Sequence, residues 1–171
     1  VSMTPFDGAA SGAAVSSGTA TVANSLPTVG SVSLSPGTAY TNDTLVASAV
    51  GSDLDGDPVA LSYAWTVNGS AVAASGSSLS GALYFDKGDV VQVTVTPGDG
   101  IGLGSSRSSA TLTVQNSPPT APEVSIRPAD PVEGDALVCG LDSPATDDDG
   151  DSPSYSVAWA VDGVAYIDAV D

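Results

Sequence analysis

The chain of 171 residues carries 20 acidic residues against three basic ones and no histidine, for a formal net charge of −17. So large an acidic excess excludes nucleic acid as a natural partner, because binding to phosphates needs a basic face. Without histidine, a Ser-His-Asp triad, a histidine general base and a histidine-ligated zinc site are excluded as well. The 19 glycines and 12 prolines are typical of strands joined by tight turns, and no apolar run is long enough for membrane insertion.

Apolar residues that alternate with polar ones predict successive β-strands across residues 25–116. The pair Asn68-Gly69 is typical of a two-residue hairpin turn between two of these strands. No segment predicts a helix. In chain order, the alternating apolar positions are Val32 and Leu34; Leu45, Ala47 and Ala49; Leu61, Tyr63, Trp65 and Val67; Val91, Val93 and Val95; and Ala110, Leu112 and Val114.

An internal repeat organises the whole chain. The offset is 92 residues from Asn24 to Asn116 and 94 residues from Asp53 to Asp147, so the later copy holds two extra residues before its acidic loop. The matching segments are 1–8 with 93–100, 24–28 with 116–120, 53–57 with 147–151, and 64–69 with 158–163.

A repeat of this length has the size of an immunoglobulin-like sandwich, so we expect tandem Ig-like antiparallel β-sandwich modules. Residues 1–24 are then the last strands of a preceding module, 25–116 a complete module, and 117–171 the first part of a following one. Because a half sandwich has open sheet edges, each end segment needs completion by a longer polypeptide or by a neighbouring copy. The two ends together lack a counterpart of residues 78–92, which favours the longer polypeptide.

Trp65 and its repeat Trp159 stand mid-strand among alternating apolar residues. Their equivalent positions in two modules predict core tryptophans rather than platforms for stacking a sugar. Cys139 is the one cysteine, so the chain forms no internal disulfide, and its strand-like surroundings predict a buried apolar residue.

Two short acidic loops are the candidate metal sites. Three carboxylates within five residues repel one another, and a hard cation with oxygen ligands, above all Ca²⁺, removes that repulsion. A solvated acidic turn is the alternative interpretation, but recurrence at the same place in two modules favours the metal. The carboxylates are Asp53, Asp55 and Asp57 in the first acidic loop, and Asp147, Asp149 and Asp151 in the second.

The expected topology adds further candidate ligands. In such a sandwich, the loop between the second and third strands, the loop between the last two strands and the incoming linker lie at one end. This predicts that Asp99 and Asn24 join the first acidic loop. The opposite end lies beside the outgoing linker, so we expect calcium at the second acidic loop to be shared across the module boundary with Asp43, Asp89 and Asn116.

The order of these motifs resembles the tandem Ig-like, cadherin-like and PKD-like repeats of large bacterial surface proteins. The resemblance covers essentially the whole chain. It implies extracellular β-sandwich modules, frequently calcium-bound, that act as stalks, adhesins or filament components. The motifs that carry it are Asp-x-Asp-Gly-Asp at 53–57, Tyr-x-Trp-x-Val-x-Gly at 63–69, Lys-Gly-Asp at 87–89, Thr-Pro-x-Asp-Gly at 96–100 and Asn-Ser-Pro-Pro-Thr at 116–120.

We therefore expect a structural repeat of an extracellular, calcium-stiffened fibre, filament or cell-surface stalk, whose partners are adjoining repeats or copies of itself. We expect no enzymatic activity, because the chain offers only carboxylates for chemistry and places them in repeated turns. The alternative is an adhesin or carbohydrate-binding accessory module of a secreted protein. That function needs exposed aromatic residues, and the candidates are Tyr40, Tyr84, Phe85 and Tyr166.

Two asparagines begin glycan acceptor patterns of the form Asn-x-Ser/Thr. They are Asn42, in Asn-Asp-Thr, and Asn68, in Asn-Gly-Ser. Both lie in expected turns, so the sequence predicts a glycoprotein surface at these positions.

Overall fold

The computed structural model describes residues 1–166, and its regular secondary structure consists almost wholly of β-strands in antiparallel pairs. This confirms the all-β prediction. No helix in the described part of the chain is long and apolar enough to cross a membrane. The elements are β1 (Ser2–Met3), β2 (Val15–Ser16), β3 (Thr28–Val29), β4 (Ser33–Ser35), β5 (Thr44–Ser48), β6 (Gly51–Ser52), β7 (Ala60–Val67), β8 (Ser70–Ala71), β9 (Ser78–Ser80), α1 (Gly81–Tyr84), β10 (Val90–Gly98), β11 (Arg107–Ser108), β12 (Leu112–Thr113), β13 (Glu123–Arg127), β14 (Val138–Ser143), β15 (Trp159–Val161) and β16 (Val164–Tyr166).

Two antiparallel sheets enclose the core of residues 25–116 in a sandwich-like arrangement. One sheet has the order β11-β10-β7-β8, and β12 also pairs with β10. The other has the order β4-β5-β9. The longest ladder joins β7 to β10 and runs from Val67 opposite Val91 to Ala60 opposite Gly98. This ladder contributes Trp65, Val67, Val91, Val93 and Val95 to the core.

Alternation along β7 and β10 assigns one face of each strand to the core, because successive side chains point to opposite faces. Val91, Val93 and Val95 are fully buried, and Trp65 is 1% exposed. The Trp65 indole Nε1 donates a hydrogen bond of 2.9 Å to the Gly76 carbonyl, so its polar atom is satisfied inside the protein. Trp65 is therefore a core residue, as its position in the alternation predicts.

The Asn68-Gly69 pair forms the tight turn between β7 and β8. The φ angles are +52° at Asn68 and +77° at Gly69. Two successive positive φ angles characterise the hairpin turn whose twist matches that of the flanking strands. Asn and Gly adopt this backbone at low cost, which is why the dipeptide predicts the turn correctly.

The short helix α1 corrects the expectation that no segment is helical. It is a single turn, in which the Phe85 amide donates to the Gly81 carbonyl over 3.2 Å. A Cβ at Gly81 would lie 2.8 Å from the Asp43 carbonyl, so the turn packs closely against the preceding part of the chain. One turn is too short to show a 3.6-residue period, and the alternation pattern therefore could not predict it.

The sequence repeat recurs in the hydrogen-bond register at both ends of the described chain. The β1–β2 hairpin pairs Ser2 with Ser16, and the β10–β11 pair repeats this 92 residues later with Thr94 opposite Ser108. In the same way, β13–β14 repeats the register of β4–β5. A register shift between Glu123 and Val124 takes up part of the two-residue insertion.

Residues 117–166 leave their apolar positions much more open than residues 25–116 do. Leu45 is fully buried, whereas Leu137, its counterpart 92 residues later, is 45% exposed. Cys139 and Trp159 are only half-buried, so the predictions of a buried cysteine at 139 and of a core tryptophan at 159 are wrong for the described residues. The described part of this segment contains no counterpart of β10, the strand that covers the equivalent core positions in residues 25–116. Residues 167–171 of the expected third module lie outside the described residues.

Replacing Leu45 by Ala should lower the free energy of unfolding by about 2–5 kcal/mol, because the change leaves a cavity among fully buried neighbours. Val46 lies next to it on β5 but is 45% exposed, so Val46→Ala should cost less than about 1 kcal/mol. Denaturant unfolding of both variants measures the difference. Equal losses would contradict the assignment of the two faces of β5.

Candidate metal centre

The first acidic loop, Asp53–Asp57, connects β6 to β7 and folds around the carboxylate of its first residue. Asp53 Oδ1 accepts hydrogen bonds from the amides of Asp55 at 2.8 Å and Asp57 at 3.4 Å. Gly56 has a φ of +85°, a backbone that a side chain would strain. One carboxylate oxygen from each of the three aspartates lies within 4.8 Å of the other two. The local hydrogen bonds thus hold together charges that repel one another.

Asp53 also supplies an oxygen without a partner. Its Oδ2 is the one buried side-chain nitrogen or oxygen in residues 1–166 that makes no hydrogen bond. Buried polar atoms are almost always hydrogen-bonded, because leaving one unsatisfied costs its full desolvation free energy. A cation bound between the three carboxylates would satisfy this oxygen. The donor set, made of carboxylates only, fits a hard cation such as Ca²⁺.

The incoming linker lies at the same end as the first acidic loop, where the sequence predicts it. The Ser25 amide donates to Asp55 Oδ2 at 2.5 Å, and the Ser25 hydroxyl donates to Asp55 Oδ1 at 3.3 Å. The neighbouring Asn24 side chain donates to Asp99 Oδ2 at 2.9 Å. Linker, first acidic loop and the turn after β10 are therefore joined by side-chain hydrogen bonds.

Asp99 closes its own turn and lies outside the cluster of three carboxylates. Its Oδ1 accepts the amides of Ile101 and Gly102, both at 2.7 Å. The Asn24 side chain first, and then these two amides, hold the pKa of Asp99 below its usual value. The structure thus brings Asn24 and Asp99 to the correct end of the unit, while their polar atoms already serve the turn and the linker.

The second acidic loop, Asp147–Asp151, repeats the first in detail. Its three alternate carboxylates again each place an oxygen within 4.8 Å of the other two. The Asp149 amide donates to Asp147 Oδ1 at 2.8 Å. The amide and hydroxyl of buried Ser117 donate to the two oxygens of Asp149 at 2.6 Å and 3.1 Å, as Ser25 does in the first loop. The repeat therefore includes the contact between loop and linker.

Two residues of the opposite end of the 25–116 unit reach the second acidic loop. Lys87 Nζ forms an ion pair with Asp151, and the hydroxyl of buried Thr41 lies beside Asp149. The Lys87 amide donates to Thr41 Oγ1 at 3.0 Å, which joins the two turns that carry them. Sequence reasoning missed both residues, although Lys87 is one of only three basic residues in the chain.

Asp43, Asp89 and Asn116 lie in turns near this boundary but outside the second cluster of carboxylates. Asp43 Oδ2 accepts the Tyr40 amide at 2.9 Å, and Asp89 Oδ1 accepts the Asn68 side chain at 2.7 Å. Asn116 donates its side-chain amide to the carbonyl of the next residue at 2.7 Å. Their polar atoms therefore stabilise local turns, and calcium sharing by these three residues stays a prediction.

The two glycan acceptor asparagines differ in their surroundings. Asn42 is exposed in a turn with a φ of +73°. Asn68 is exposed too, but its side-chain nitrogen, the atom to which a glycan would be attached, donates to Asp89. Asn42 is the more accessible of the two acceptors.

The aromatic candidates for a carbohydrate surface are divided between core and surface. Phe85 is buried, and the Tyr84 hydroxyl donates to the Ala73 carbonyl at 3.0 Å. Tyr40 and Tyr166 are exposed. No aromatic platform made of all four side chains is therefore formed, since Phe85 belongs to the core.

None of the protein-family models, curated proteins or solved structures compared with the chain matches it. The function proposed below accordingly rests on the geometry of the two acidic loops, on their repetition and on the contacts across the boundary.

At the boundary, the pKa of Lys87 is raised and the pKa of Asp149 is lowered. The hydrogen bond to Asp151, followed by the charges of all three loop carboxylates, raises the pKa of Lys87 above its usual value. The Thr41 hydroxyl is the main cause that lowers the pKa of Asp149, with smaller contributions from Ser117 and from the charge of Lys87. Both shifts favour the charged forms.

In buffer without divalent cations, Asp149 should titrate below its ordinary value of 3.8. Because its pKa is depressed in the folded state, its contacts are complete above that value and are lost as the pH falls through the folded-state pKa. Thr41→Val should raise the midpoint most, and Lys87→Met should raise it less. Carboxyl chemical shifts followed by NMR measure the three midpoints, and a wild-type midpoint of 3.8 or higher would contradict the contacts.

Proposed function

We propose that the chain is a structural repeat of an extracellular, calcium-stiffened fibre, filament or cell-surface stalk, built from Ig-like sandwich modules. The observation that carries the proposal is the first acidic loop with its buried, unpartnered Asp53 Oδ2. The detailed repetition of this loop 94 residues later supports a function that every module performs. The motif order, which resembles tandem repeats of bacterial surface proteins, agrees with it.

Calcium is the cation that the donor set favours. Ca²⁺ takes six to eight oxygen ligands in flexible geometry, whereas Mg²⁺ demands a near-ideal octahedron and keeps several waters. Soft or borderline metals prefer thiolate and imidazole ligands, and the chain has no histidine and one cysteine. Extracellular modules bind calcium at about 10⁻⁴–10⁻³ M, so such a site is filled outside a cell and vacant at cytosolic calcium.

A mechanical role follows from where the ion would bind. Asp55 accepts two hydrogen bonds from Ser25 of the incoming linker, and the cation would neutralise the loop that holds these bonds. Binding would therefore fix the angle between the linker and the sandwich. We propose adjoining repeats of the same polypeptide, or further copies of the chain, as the partners of such a module.

We propose no catalytic role. Glycoside hydrolysis needs two differently tuned carboxyls on either side of a substrate cleft. The clustered carboxylates here lie side by side in turns and are held by amides and hydroxyls of their own loop and linker. This arrangement suits the binding of a cation. The carboxylates do not stand on opposite sides of a cleft, as a catalytic acid and a catalytic base would.

Calcium should raise the melting temperature of the chain. For a site with a dissociation constant of about 1 mM, 10 mM Ca²⁺ stabilises the folded state by about 1.4 kcal/mol. Asp53→Asn should remove most of this gain, because it replaces the unpartnered carboxylate oxygen. Thermal unfolding in 10 mM CaCl₂ and in EDTA measures the effect.

Asp148→Asn is the matched control, since it removes the same charge from an exposed residue outside the two triads. This variant should keep the full response to calcium. An identical melting temperature for the wild-type chain with calcium and with EDTA would refute the calcium proposal.

A further inference from the structure

We infer that Lys87 is the resident cation of the second acidic loop, and that its docking joins the 25–116 unit to residues 117–166 in the absence of metal. This inference rests on the proposed function only where calcium enters as a competitor. The joint itself is made of groups that belong to the chain.

The 25–116 unit and the second acidic loop meet in an ion pair between Lys87 Nζ and Asp151. The hydroxyl of Thr41, to which the Lys87 amide donates, lies beside Asp149. Ser117 of the linker is buried at this boundary, and its amide donates to Asp149. Asp149 is thus held by the linker, and Asp151 is held by the preceding unit.

The first acidic loop shows which contacts the same loop makes without a lysine. It makes the same hydrogen bonds as the second loop, from the amide of the third loop residue and from the linker serine. Yet the described residues show no ion pair at Asp53, Asp55 or Asp57. The conformation of the loop therefore does not require a lysine. Lys87 is an occupant of the second loop and is not needed to fold it.

The turn that carries Lys87 is itself fixed by hydrogen bonds. The Lys87 amide donates to Thr41 Oγ1 at 3.0 Å, and the next amide, of Gly88, donates to the Val114 carbonyl at 2.9 Å. These bonds tie the turn to the sandwich on both sides. Within the 25–116 unit, only the side chain of Lys87 is left to be ordered when it docks, which limits the entropy lost there.

The magnitude of the effect is set by solvent. The side chains of Lys87 and Asp151 are 36% and 52% exposed, and exposed ion pairs are weak and screened by salt. We expect docking to favour the joined arrangement by up to about fivefold over the released one. Such a bias orients two units but remains easy to displace.

A divalent cation is the natural competitor, because it brings two charges to a loop whose three carboxylates are only partly neutralised by one ammonium group. If calcium binds as proposed, it meets no lysine of the described residues at the first acidic loop and displaces Lys87 at the second. The two loops, alike in sequence, would then differ in affinity. The difference would come from the preceding unit rather than from the loop itself.

The test uses the full chain in EDTA at low salt, with the relative orientation of the two units measured by NMR residual dipolar couplings. The alignments of the two units should be similar in the wild-type chain. Lys87→Met should make the two alignments diverge measurably, and 0.5 M NaCl should have the same effect on the wild type. The matched control is Arg107→Met, which removes one exposed positive charge from β11 and should leave the two alignments as similar as in the wild type.

Three further variants probe the same contact. Asp151→Asn should release the units as Lys87→Met does. Lys87→Asp should release them too, and combining it with Asp151→Lys should restore similar alignments. Alignments that are as similar in Lys87→Met as in the wild type, or fully independent alignments in the wild type, would overturn the inference.

Calcium titrations separate this inference from the proposed function. Lys87→Met should bind calcium at the second loop severalfold more tightly than the wild type does, whereas Arg107→Met should not differ. If neither chain binds calcium but Lys87→Met still separates the alignments in EDTA, the calcium proposal fails and the lysine joint stands. If calcium binds both loops of the wild type and of Lys87→Met alike, the competition is overturned.

Discussion

The ladder between β7 and β10 is the constraint on which the rest of the structure depends. Its eight paired positions bury Trp65 together with Val91, Val93 and Val95 of β10 on one face. It also separates the two ends of the unit by about 25 Å, at roughly 3.3 Å per residue. The first acidic loop precedes β7 at one end, and Lys87 precedes β10 at the other. A lysine of one unit therefore cannot reach the acidic loop of its own unit and can only meet that of the next.

The acidic loops show how local hydrogen bonds can hold an electrostatically unfavourable arrangement. Within each loop, the first aspartate accepts the amide of the third residue, and the third-residue carboxylate accepts a linker serine. These bonds bring three negative charges together, and the repulsion is relieved either by a metal ion, as proposed for the first loop, or by an ammonium group. At the second loop, Lys87 already supplies such an ammonium group to Asp151.

Much of the candidate site could be predicted from the sequence, because its carboxylates recur at fixed spacing. The alternation of apolar residues predicted that Trp65 lies in the core, and the dipeptide Asn68-Gly69 predicted a hairpin turn. The expected topology placed Asn24 and Asp99 at the end that holds the first loop. Lys87 and Thr41 could not be assigned in this way. Their contacts with Asp151 and Asp149 span more than 60 and more than 100 residues, and no local pattern connects them. The single turn α1 was missed for a related reason, since one turn shows no period.

By itself, the amino-acid sequence determined the all-β class, the repeat and the position of the acidic loops, because strand alternation, turn residues and carboxylate spacing are local properties of the chain. The tertiary structure alone decided which polar atoms are already satisfied. Asp43, Asp89 and Asp99 look like free ligands in the sequence, yet their oxygens accept hydrogen bonds from their own turns and neighbours. Asp53 looks no different from them but keeps a buried oxygen without a partner. The distinction depends on burial and on donors brought together by folding, which no spacing in the sequence encodes.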